Sequence, residues 1–393
     1  MLAICYEAEA ALSNPRGETS VKLDGIKVLD LSQFLPGPHL TMTMADHGAS
    51  VIMVEPKNGV GEPVRAMGAR MPDGTAVWFR NIARGKQSIV LDLKDGGDKA
   101  AFLELAAGAD VIVEAFRPGV VKRLGVGYDA VAAINPRIVY CSISAFGQEG
   151  PLRDKPSHDL GVQALAGTLD LSRGLSDDKP NMPNLVAADL ASSLTALSAI
   201  LMALLAREKT GKGDYIDIAM YDSLLAWTPN ITGTVFAEHR APVPHAMRNY
   251  GGQAMNRIYE TKDGQTIVLA GSEAKFCENL LRALGRPDFL DLAKGEPGPS
   301  QAPLIAYFTE TFRSKTRAEW EAFLAPLDLC WAPVRNLKDA FDDPHTQARG
   351  MLLKDGAGNS HIGPAIKFRN EPAKPDLNLP PYNAGNAKAR FRS

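Results

Sequence analysis

With 393 residues, 45% apolar and 22% charged side chains and a formal net charge of −2, the chain has an ordinary globular composition and is too long for one core, so two domains are expected. The near-neutral balance argues against a nucleic-acid binder, which would carry a basic excess. The four cysteines, Cys5, Cys141, Cys277 and Cys330, form no Cys-x-x-Cys pair, which argues against a zinc ribbon or a disulfide scaffold and fits a reducing, cytoplasmic setting.

Residues 1–20 lack the basic region and long apolar core of a signal peptide and read as a lead-in. IKVLDL (26–31) predicts a strand, Pro36-Gly37-Pro38 a turn, 39–47 a helix stopped by Gly48, and VIMVE (51–55) a second strand. Further strands are expected at 88–93, 111–116 and 138–144, with helices at 98–107 and 128–134. These strand runs are apolar on both faces, as in a parallel sheet covered by helices, and the alternation predicts a doubly wound α/β domain. Residues 159–206 read as two helices broken around Ser172–Pro183. The most apolar stretch, Leu194–Ala206, is too short to span a bilayer and predicts a buried helix. YIDIAM (215–220) adds a strand. The irregular region 228–257, with Pro229, Pro242, Pro244 and Gly251-Gly252, marks a domain boundary. A smaller α+β unit follows, with a hairpin around Asp263-Gly264, helices near 273–284 and 316–325, and a Gly/Pro-rich linker at 293–301. The Pro- and Asn-rich tail from about 371 is expected to wrap a surface.

Several familiar chemistries lack their motifs. The first turn, SQFLPGP, has only Gly37 where a dinucleotide fingerprint needs three glycines. Gly85-Lys86 is followed by Gln87 and Gly211-Lys212 by Gly213, so the P-loop pattern fails, and neither His-Glu-x-x-His nor Gly-x-Ser-x-Gly occurs. NAD, ATP, zinc-hydrolase and serine-hydrolase readings are disfavoured, and no metal site is expected.

Four features could carry chemistry. Ser157-His158-Asp159 precedes an apolar helix; it is a helix cap on the plain reading, or a carboxylate and an imidazole beside backbone N–H groups that could hold an oxyanion. Asp189 interrupts the apolar run NLVAADLASS, where an unpaired buried carboxylate would be costly. Glu273 closes TIVLAGS at a helix start. Lys57, Arg65, Arg84, Lys86, Arg117, Lys122 and Arg123 lie in loops. Most surface cations are merely solvated, but loops after the strands of a doubly wound sheet are where ligands sit, and clustered cations there suit a ligand with several phosphates.

In their order along the chain, these segments resemble the family III CoA-transferases and their α-methylacyl-CoA racemase relatives. The resemblance is carried by GIKVLDLSQFLPGPHLTMTMADHGASVIMVEP, RGKQSIVLDLK, ADVIVEAFRPGVVKRLG, NPRIVYCSISAFGQEGP, SHDLGVQALAG and ALLAREKTGKGDYIDIAMYDSLL, and later by YETKDGQTIVLAGSEAKF and the stretch from Lys315 to Leu352. It runs from about residue 24 to 370. It implies a Rossmann-like large domain (1–225 and 335–393) with a smaller domain at 226–334, in an interlocked homodimer. It implies acyl-CoA and a small carboxylic acid as substrates, no prosthetic group, and coenzyme A over the loops carrying Gln33, Arg84, Arg117 and Arg123.

Two reactions share that scaffold. In the transferases an aspartate matching Asp159 forms an anhydride and then an aspartyl-CoA thioester, chemistry for which a carboxylate is suited because the anhydride is a good electrophile. In the racemases a histidine matching His158 and an aspartate matching Asp189, with a supporting glutamate matching Glu273, move the α-proton between two faces. This chain carries both sets. The long 59–83 loop and the VQALAG that follows Asp159 resemble the transferase form, which is the expected activity, with the racemase as the alternative. A non-catalytic CoA-binding homologue is disfavoured by the presence together of His158, Asp159 and Asp189.

Overall fold

The computed structural model describes residues 21–174, 177–382 and 390–392. The lead-in expected over 1–20 lies outside them. Contacts divide the chain into two units. The larger holds the residues up to Pro156, Asp189–Ser223 and those from Ala348 onward; the smaller holds Ser157–Ala188 and Leu224–Gln347. The smaller unit thus takes in 157–188 and extends past residue 334, whereas the resemblance implied bounds of 226–334.

The larger unit is built on six strands: β1 (Lys27–Asp30), β2 (Ser50–Pro56), β3 (Gln87–Leu91), β4 (Val111–Glu114), β5 (Val139–Ser144) and β6 (Asp214–Ala219). All pairings are parallel, in the order β3-β2-β1-β4-β5-β6. The strand order reverses between β1 and β4, so this sheet opens its crevice at the carboxyl ends of those two strands. β4 and β5 are buried at every position, which is why VIVE and VYCSIS show no alternation. Leu29, Ile52, Ile89, Ile112 and Tyr140 form one core with Phe102 of the covering helix.

Helix α1 (Pro36–Asp46) begins on the prolines read as a turn, because proline fits the first helical positions, where no backbone donor is needed. Helix α2 (Val77–Ala83) was not anticipated; it buries Phe79 and Ile82 against Met53 and Val64. Helix α3 (Gly96–Ala107) is capped by Asp95, whose carboxylate accepts from the Gly97 and Asp98 N–H groups. After β5 come α4 (Asp159–Leu165) and the 24-residue α5 (Ala187–Thr210). By length and composition α5 could cross a membrane, so the shortness inferred from Leu194–Ala206 does not hold. It buries Ala191, Ala196, Leu197 and Ile200, and its last turn places Arg207, 4% exposed, in an ion pair with Asp110 at 2.9 Å.

The smaller unit contains a three-stranded antiparallel sheet of β7 (Asn256–Glu260), β8 (Thr266–Ala270) and β9 (Trp331–Pro333). The hairpin turns at Asp263-Gly264 as expected, with Gly264 at φ 70°. Helices α6 (Ala274–Ala283), α7 (Ala302–Phe312) and α8 (Arg317–Leu324) supply Leu280, Phe308, Phe312 and Trp320 to its core. Thr316 and Glu319 form a reciprocal capping box at α8. Back in the larger unit, β10 (Leu352–Lys354) and β11 (Ser360–Ile362) make a small hairpin.

Candidate active site

The loop between β1 and α1 is fixed from beneath. Asp30 accepts from the Ser32 N–H and hydroxyl and from Thr41 Oγ1. Lys86 Nζ, fully buried, donates to Asp30 Oδ2 at 2.9 Å, to the Pro38 carbonyl at 2.9 Å and to Thr41 Oγ1 at 2.8 Å. Burial lowers the Lys86 pKa, and the Asp30 charge opposes that shift. Above this network Gln33 is half-buried, and Phe34 adopts φ 65°, a left-handed conformation rare for a large side chain.

Gln33 stands on the wall of a cleft of about 360 Å³ at the carboxyl ends of β1 to β4. Lys57, Asn58, Lys94, Phe116 and Leu124 also line it. Lys94 and Phe116 were not anticipated, although Lys94 follows one predicted strand and Phe116 ends another, positions that should have marked them. Beside the cleft, Glu114 is buried and its carboxyl is pushed up to about 7 by desolvation, against hydrogen bonds from Ser142 and the Phe116 N–H.

The basic residues separate into two groups. Arg84 is 1% exposed, clamped to Asp46 through two bonds of 2.9 and 2.6 Å and donating to the Ile362 carbonyl at 2.6 Å. Arg65 is paired to Glu55 at 2.7 and 2.6 Å, and Lys86 to Asp30. The guanidinium of Arg84 therefore faces a carboxylate inside the protein, not the open loop surface from which a coenzyme A contact was expected. Lys57, Arg117, Lys122 and Arg123 are exposed. Gly119, at φ 80°, lies between two guanidiniums: a Cβ there would sit 3.3 Å from Arg123 Nη1 and 3.4 Å from Arg153 Nη2. Arg153 is thus a further cation near Arg123, without a sequence signal to mark it.

In the smaller unit His158 is the extended, exposed residue before α4, and Asp159 is the first helical residue, 7% exposed. Asp159 Oδ1 accepts from the Ala188 N–H at 2.8 Å and Oδ2 from Gln163 Nε2 at 2.6 Å. Gln163 also donates to the Leu185 carbonyl at 3.3 Å. The carboxylate is therefore held by the start of α5 and by a side chain one turn along its own helix. The i, i+4 spacing of Asp159 and Gln163 was readable in the sequence; the bond to the Ala188 amide, 29 residues away, was not. Asp189 is the residue after that amide and is half-buried. Glu273 is the exposed residue preceding α6; its Oε2 folds back so that a Cβ on Gly271 would lie 3.0 Å from it.

The model of CoA-transferase family III matches residues 23–386. The acetyl-CoA:oxalate CoA-transferase of Acetobacter aceti is 34% identical over 88% of each chain. The human alpha-methylacyl-CoA racemase is 30% identical over 92% of this chain and 90% of its own. Among solved structures, a CAIB/BAIF family protein from Brucella suis superposes with a TM-score of 0.80 at 30% identity, over 93% of this chain and 97% of that one. With a parallel α/β sheet in the 3-2-1-4-5-6 order and a family match across nearly the whole length, the chain belongs to the family III CoA-transferases.

Proposed function

We propose that the protein moves coenzyme A from an acyl-CoA thioester to a small carboxylic acid, with Asp159 as nucleophile. The observation that carries this reading is the Asp159 carboxylate, clamped by Ala188 and Gln163 at a helix start. An Asp159 oxygen attacks the donor carbonyl and expels the CoA thiolate, leaving an acyl-aspartyl anhydride. The thiolate returns to the aspartyl carbonyl, releasing the donor acid and leaving an aspartyl-CoA thioester. The acceptor carboxylate attacks that thioester and again expels the thiolate, which takes the acceptor acyl group and frees Asp159. Clamping from both sides keeps the carboxylate oriented through four such exchanges. Coenzyme A would set its adenosine in the cleft beside Gln33 and Phe116, with Lys57, Lys94, Arg117 and Arg123 facing its phosphates as charge-assisted donors. The working form would be a homodimer.

A second reading is supported by the similarity to the racemase and by His158 and Asp189: two-base exchange of the α-proton of a 2-methylacyl-CoA. One experiment separates them. Incubated in D2O with a 2-methylacyl-CoA and no carboxylate, a transferase incorporates no deuterium, then transfers CoA once carboxylates are added. Asp159→Ala then abolishes transfer with an unchanged circular dichroism spectrum, and His158→Ala retains most of it. Rapid one-deuteron uptake that is lost in His158→Ala assigns the racemase instead.

A further inference from the structure

We infer that Glu62 is a positioning residue that holds the β1–α1 loop, and with it Gln33, in the shape that walls the cleft; the role assigned to the cleft rests on the coenzyme A reading above. The residue after Gln33 is Phe34, whose φ of 65° is disfavoured for any β-substituted residue and persists only where its surroundings enforce it. Two restraints enforce it. The ring packs against the buried Met53, Val64, Phe79 and Ile82. The Phe34 N–H donates to Glu62 Oε1 at 2.9 Å.

Glu62 is itself anchored. It is 2% exposed, and its backbone N–H donates to Glu55 Oε2 at 2.7 Å. Glu55 lies on β2 and is gripped by Arg65, through bonds of 2.7 and 2.6 Å, and by the Ser88 hydroxyl on β3. The acceptor that fixes the strained loop is therefore tied to the central sheet. Desolvation, with the negative Asp30 nearby, pushes the Glu62 carboxyl up to about 7, against the Phe34 and Val64 N–H groups and the Lys86 charge. A charged acceptor binds an amide more strongly than a neutral one, so the restraint on Phe34 tightens above neutrality and slackens below it.

The test compares the full-length protein with Glu62→Ala and Glu62→Gln, by amide hydrogen exchange at Phe34, CoA titration calorimetry and steady-state kinetics. In Glu62→Ala, exchange at Phe34 accelerates, and the CoA Kd and acyl-CoA KM rise about tenfold, as for loss of a charge-assisted hydrogen bond, with kcat nearly unchanged. Glu62→Gln keeps an acceptor oxygen and recovers most of the affinity. The wild-type KM rises modestly as pH falls through about 7, and the rise is smaller in Glu62→Gln, where the Glu114 carboxyl beside the cleft still titrates. Unchanged Phe34 exchange in Glu62→Ala, or a KM that does not respond to it, overturns the inference. A wild-type protein that fails to bind CoA refutes the coenzyme A reading of the cleft, and Phe34 exchange still decides whether Glu62 holds the loop.

Discussion

At the scale of single residues, the buried ion pairs beneath the loops carry the main lesson. Arg84 resembles a phosphate ligand because it lies in a loop flanking a predicted strand in a sheet of this topology. Its partner Asp46, 38 residues earlier, makes it a fold determinant. Truncating one member of a buried pair strands the other charge away from water, at a cost of about 3–5 kcal/mol. Arg84→Ala should therefore lower the urea midpoint by that equivalent, and Asp46→Ala should add little to it in the double variant. A variant of normal stability that has lost only CoA affinity would return Arg84 to the binding site. The same distance effect hid the nearness of Arg153 to Arg123 and the Asp159–Ala188 bond: the groups brought together lie far apart in sequence, and one chain's residue pattern reports only what falls within a turn or two.

At the scale of elements, the six strands were legible to within about two residues because apolar β-branched runs bounded by Gly, Pro and charge leave few alternatives. Helices α1 and α3 were legible in their bodies, α1 through its Gly48 stop, but the proline entry of α1 and the Asp95 cap of α3 were not read. Helix α2 was not, since VWFRNIA is short and rich in strand-favouring residues, and it is helical through the packing of Phe79 and Ile82. Helix α7 was missed behind the Gly/Pro-rich linker before it. One glycine in this layer has a sharp consequence. A Cβ at Gly213, just before β6, would fall 1.8 Å from the Ile138 carbonyl oxygen that β5 leads from. Gly213→Ala must push β6 off β5, and should cost ~3 kcal/mol or more by thermal or urea unfolding. Wild-type stability in that variant would show that the two strands can separate at their entry without loss.

At the scale of the whole molecule, α5 has two characters. One side packs into the larger unit, while Leu194, Leu201, Met202 and Leu205 face solvent, with Leu205 at 69% and Met202 at 65% exposure. Apolar side chains gathered on one helix face in this way mark an interaction surface, which supports the homodimer proposed above. Replacing Met202 and Leu205 together by glutamate should convert the protein to a monomer by light scattering, with loss of transfer activity. A wild-type protein that is monomeric at micromolar concentration refutes the proposal.

The larger unit is assembled from stretches made at very different times. Its closing stretch lies across its opening one: the Gly85 N–H donates to the Asn378 carbonyl at 3.0 Å, Arg65 to the Pro380 carbonyl at 3.0 Å, and the Arg392 N–H to the Ser50 hydroxyl at 2.8 Å, while Phe391 packs on the core. A nascent chain that has emerged as far as Gln347 carries every strand of the main sheet and the whole smaller unit, but none of these fasteners. Until the residues after Gln347 emerge, Arg84 lacks its Ile362 acceptor and Ser50 on β2 lacks the Arg392 N–H. Any pause in translation over that final segment therefore leaves the larger unit unfastened for as long as the pause lasts.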